Sequence, residues 1–94
     1  YVSDVAACCA AALEHGDPGI YNVGSGRAWS VREVAETVVA AAGSSSSIVV
    51  HPPDGPVPAG FPALAVDKAR TAWGFTPTPF ADGVRRLLEA GARA

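Results

Sequence analysis

The sequence predicts a small α/β domain, on three observations. Short apolar runs rich in β-branched residues, at 20–23 and 48–50, alternate with stretches of helical periodicity. Glycine, proline and helix-capping signals separate each segment from the next. The 94 residues are 49% hydrophobic and only 17% charged, an apolar balance for a chain in which surface dominates. Some of that apolar surface is expected to lie against another domain or subunit. The predicted order is β-α-β-α-β-loop-α-α, in a single partial domain covering 1–94.

Tyr1 and Val2 read as the tail of a strand. Ser3 or Asp4 is then expected to cap a helix over 5–15, because their side-chain oxygens accept from the free N–H groups of a first turn. Gly16 stands where a left-handed residue ends a helix, and Pro18 follows. From Val5 to Leu13 this helix is Val, Ala, Cys and Leu throughout, with no polar face for more than two turns. A helix that is apolar all round is expected to be buried all round. So short a chain has little to surround it with, which again argues for a partner layer.

Residues 20–23 form the next expected strand and Gly24-Ser25-Gly26 a loop. Ser30 and Glu33 have the S-x-x-E spacing of a capping box, which predicts a helix over 31–42. Its apolar residues Val31, Val34, Ala35, Val38, Val39 and Ala42 recur on one stripe, with Arg32, Glu33 and Glu36 on the wet side. Gly43 ends it. A serine linker at 44–47 leads to the β-branched Ile48-Val49-Val50. A loop follows at about 51–63, where proline and glycine density forbids regular structure and suggests an ordered loop or a mobile lid. Asp67 is placed to cap a short helix over 68–73, stopped by Gly74. Pro79 suits the first turn of a last helix, with Thr78 as its cap and Phe80, Val84, Leu87 and Leu88 as its apolar face to about residue 90.

Composition excludes several function classes. The net charge is −2, and the seven basic residues are dispersed without interleaved aromatics, so a nucleic-acid partner is not expected. No apolar run approaches the roughly 18 residues that span a bilayer, so no membrane partner is expected. Cys8 and Cys9 are neighbours and point about 100° apart on a helix, so they do not pair with each other. Free thiols point to a reducing compartment, and we expect a cytoplasmic location. His15 and His51 stand alone, without the ligand spacing of a metal site, and no metal is expected. The chain begins with Tyr and carries no charged-then-apolar leader, so it reads as a fragment or excised domain.

Several segments, in order, resemble the carboxyl-terminal part of NAD-dependent epimerases and dehydratases of the extended short-chain dehydrogenase/reductase family. Tyr1-Val2-Ser3-Asp4-Val5-Ala6 is similar to the family's Y-V-x-D-V-A segment. Tyr21-Asn22-Val23-Gly24-Ser25-Gly26, followed by Ser30-Val31-Arg32-Glu33-Val34-Ala35, resembles Y-N-V-G-S-G and S-V-x-E-[LV]-A. Asp67-Lys68-Ala69-Arg70 resembles S-K-A-R, and Trp73-Gly74-Phe75-Thr76-Pro77 resembles L-G-[FW]-x-P. Asp82-Gly83 with Arg85-Arg86 is similar to the family's terminal helix. Together these cover nearly the whole chain.

The resemblance implies an α/β fold, the carboxyl-terminal substrate-binding portion of an extended Rossmann-type enzyme with the N-terminal cofactor domain absent. It implies an isomerase or oxidoreductase that takes a nucleotide-diphosphate sugar, works with NAD or NADP held by the missing domain, and is a homodimer when intact. No G-x-x-G-x-x-G occurs here, and neither Tyr1 nor Tyr21 has a lysine four residues on. No catalytic and no cofactor-binding residue is therefore assigned, and the fragment alone is expected to be inactive. Between His51 and Val66 there is no arginine for a diphosphate, and Ala65 stands where relatives often carry Asp.

The candidate substrate-binding residues are Asn22, His51, Asp54 and Gly60. Asn22 can touch a ligand or tie its strand end to the loop. His51 and Asp54 can line a cleft because of their place in the proline loop, and Gly60 lies in the same loop. Two alternatives stay open: part of an NADPH-dependent reductase on the same scaffold, and a non-catalytic interaction domain that binds through the apolar first helix.

Overall fold

The computed structural model describes residues 1–15 and 17–92, and Gly16, the expected helix terminator, lies outside them. Among the described residues four helices follow one another: α1 (Val2–His15), α2 (Val31–Ala42), α3 (Asp67–Trp73) and α4 (Phe80–Ala92). No strand is present among the described residues. The expected α/β fold, and with it the Rossmann-type substrate portion, is corrected to an all-helical arrangement.

The reason lies in what a strand needs. Segments of three or four residues hold no strand geometry without a partner ladder. Residues 20–23 find side chains instead. Lys68 Nζ donates to the Ile20 carbonyl at 3.0 Å and sits 4.4 Å above the Tyr21 ring, which stacks on Trp73 at 4.4 Å. Ile48, Val49 and Val50 remain exposed.

α1 begins three residues earlier than the capping residues suggest. The Tyr1 carbonyl accepts from Asp4 N at 2.9 Å and from Val5 N at 3.4 Å, so the backbone of Tyr1 starts the helix. Tyr1 and Val2 are therefore a helix start and not a strand end. Asp4 lies inside the first turn and is freed for a distant partner.

α2 forms where the capping box puts it. Glu33 N donates to Ser30 Oγ at 3.0 Å, and Ser30 N donates to Glu33 Oε2 at 3.3 Å. At its far end Gly43 adopts φ 60°, ψ 31°, and Ser44 N returns to the Val39 carbonyl at 3.1 Å. α3 starts at Asp67 itself. Val66 takes the cap position without a side-chain hydrogen bond, while Asp67 pairs with Arg70 at 3.3 Å. In α4 the Pro79 carbonyl accepts from Asp82 N and Gly83 N, both at 3.0 Å, so Pro79 stands one position before the first turn expected for it.

The packed centre is small. Cys8 of α1, Val66, Ala69 of α3 and Phe75 are buried together, with Tyr21, Val23 and Trp73 half-buried around them. α2 packs on α4, and α1 touches α3. Trp29, just before α2, tilts against Phe80 at 4.9 Å, with the Arg27 guanidinium 3.9 Å from its ring centre.

Much apolar surface is uncovered. The expected burial of α1 on all sides does not occur: Cys8 is its buried residue, and Leu13 is 87% exposed. Phe61 in the proline loop is 94% exposed. The molecule is a slab of 46 × 40 × 18 Å with a radius of gyration of 16.7 Å. A compact chain of this length would have a radius near ~12 Å.

Candidate functional site

The centre of interest grows from Asp4. From the first turn of α1, its side chain reaches the linker between α3 and α4. Thr78 N donates to Asp4 Oδ2 at 2.9 Å, and Thr78 Oγ1 donates to Oδ1 at 2.7 Å. The carboxylate therefore joins residues 74 positions apart and holds the start of α4 against the start of α1. Those bonds to Thr78, side chain first and backbone second, lower the Asp4 pKa below its ordinary value, against the opposing effect of burial. Asp4 is ionised throughout the neutral range and serves as an acceptor.

Thr78 is thus not the side-chain cap of α4, as its position suggests. Its hydroxyl is committed to Asp4.

Around this link the chain forms a cleft of about 290 Å³. Tyr1, Asp4 and Val5 supply one wall. The turn Val23-Gly24-Ser25 supplies a second, and Phe75, Pro77, Thr78 and the α4 residues Phe80, Gly83, Val84 and Leu87 close the rest. A smaller hollow of about 170 Å³ lies on the other side of Asp4, between Ala7, Cys8 and Ala11 of α1 and the 73–76 linker.

Gly83 faces the Tyr1 side chain, where a Cβ would sit in ordinary contact at 3.4 Å. Gly26 has φ +74°, and a Cβ there would stand 3.3 Å from Val66 Cγ2. Only glycine combines that backbone angle with that approach at low cost.

The Asp4 carboxylate and the Thr78 and Ser25 hydroxyls at the cleft already have partners within the chain. Ser25 Oγ donates to the Arg27 carbonyl at 3.0 Å and accepts from Arg27 N at 3.3 Å. The cleft is consequently an apolar recess bordered by a satisfied carboxylate. It suits the packing of a nonpolar face better than proton transfer.

The sequence-derived candidates sit elsewhere. Asn22 is exposed and lines neither hollow, although its neighbour Val23 does. His51, Asp54 and Gly60 are exposed on the segment between α2 and α3 and line neither hollow. Space around Gly60 is open, since a Cβ there would meet nothing within 4 Å. The structure does not gather these residues into one cavity. Of the residues that do converge, Tyr1, Asp4, Phe75 and Gly83 lie in segments already distinguished as motifs, and Thr78 directly follows one. Their mutual contact has no local signal.

At the Gly24-Ser25-Gly26 turn the local geometry works against a bound phosphate. The turn precedes α2, but Glu33 N at the start of that helix is taken by Ser30 Oγ and the Ser30 amide by Glu33 Oε2. Glu33 puts a carboxylate where a pyrophosphate would have to approach, and Arg27 is already 3.8 Å from it. The space over Gly26 is filled by Val66.

Cys8 is buried, and that burial first, with Cys9 and Asp4 adding to it, pushes its thiol pKa up. A raised thiol is a poor nucleophile, so Cys8 is a packing residue. Among the described residues no three His, Cys, Asp or Glu side chains gather to hold a metal ion. No helix among them is long and apolar enough to cross a membrane.

No family model, curated protein or solved structure matches the chain.

Proposed function

We propose that this chain is the substrate-side part of an NAD(P)-dependent enzyme acting on a nucleotide-diphosphate sugar, an epimerase or a dehydratase. The cofactor and the proton-transferring residues would be supplied by other parts of the working protein. The role of these 94 residues is to wall the sugar pocket and set what fits it.

One observation carries the reading. The segments that resemble the family are far apart in sequence and lie together in space. Asp4 of the first is bonded to Thr78, just after the fourth. Tyr21 of the second stacks on Trp73. Ala69 of the third is fully buried beside Phe75. Gly83 of the last lies against Tyr1. Motifs made of cap and turn chemistry recur by chance singly. Their meeting in one packed region supports the reading.

The second reading, a non-catalytic interaction domain, is favoured by the uncovered side chains of Leu13, Ile20 and Phe61. A slab with so much apolar surface is suited to lie against another protein.

Hydride exchange decides between them. The native polypeptide that contains this sequence should convert or oxidise a nucleotide-diphosphate sugar with NAD⁺ or NADP⁺, followed by nicotinamide absorbance. The 94-residue chain alone should show no turnover. Turnover by the 94 residues alone, or a native polypeptide that binds neither a nucleotide-sugar nor a dinucleotide, would refute the proposal.

A further inference from the structure

We draw no further inference here: the strongest candidate, the apolar cleft between the start of α1, the 23–25 turn and α4, has its Asp4 carboxylate and Ser25 hydroxyl engaged within the chain, and nothing in the structure shows what covers it.

Discussion

α2 and the cluster around Phe75 are built on opposite plans. α2 carries its own instructions: a capping box at one end, a left-handed glycine at the other, and an Arg32–Glu36 pair at 3.0 Å along its wet face. It has no fully buried residue. The Phe75 cluster has almost no local instruction. Cys8, Val66, Ala69 and Phe75 come from three places in the chain and bury one another. The lesson is that local caps decide where a helix lies along the chain. Distant apolar contacts and one carboxylate decide how the helices sit together.

The comparison predicts a graded series of substitutions. Phe75→Ala should have the largest effect, about 3–5 kcal/mol, because a buried aromatic leaves a cavity that its neighbours cannot fill. In a small domain of marginal stability that loss should appear in denaturant titration as a strongly reduced or vanished unfolding transition. If Phe75→Ala leaves the midpoint unchanged, the cluster is not the centre of the fold.

Asp4→Ala should come next, at about 1.5–3 kcal/mol, the range for hydrogen bonds to a charged group. The same link predicts a pH dependence. The Asp4 pKa is lower folded than unfolded, so its contribution is complete above the ordinary value of 3.8 and is lost as pH falls below that, through the folded value. Acid titrations of stability should therefore differ between the wild type and Asp4→Asn below that value. Parallel curves would remove Asp4 from the account.

Gly26→Ala should cost about 1–2 kcal/mol, the strain of a left-handed backbone in a residue with a Cβ. Ser30→Ala should cost about 1 kcal/mol by removing one half of the capping box. Its effect should be confined to α2, with faster amide exchange in the first turn and little change near Ala69. Arg32→Ala should be smallest, about 0.3–0.5 kcal/mol, because both members of the pair are exposed. Thermal unfolding of the three variants side by side checks the ranking.

The same contrast explains how much of the molecule could be read from its residues. α2 was legible to the residue because Ser30, Glu33 and Gly43 act on neighbours within four positions. α3 and α4 were legible to within a residue or two, since Gly74 and Pro79 punctuate them. The start of α1 was not, because a backbone carbonyl, that of Tyr1, serves where a side-chain cap was expected. The strands expected at 20–23 and 48–50 do not form, because β-branched composition describes a side chain's preference, whereas a strand exists only with a partner. The α/β class failed with them.

At the cleft, Asp4 was weighed as a cap for its own helix, yet its carboxylate serves Thr78. A bond between residues 74 apart leaves no periodicity to find. His51, Asp54 and Gly60 are candidates by their place in the proline loop and Asn22 by its place at an expected strand end, and such positions do not say which segments meet.

The central claim is that these residues are one part of a larger enzyme. The intact mass of the native gene product, measured in extracts of its source cell, tests it most directly. The account predicts a polypeptide several times heavier than 9.5 kDa, with this sequence inside it. A native product of about 9.5 kDa would contradict the claim and leave protein binding as the function to pursue.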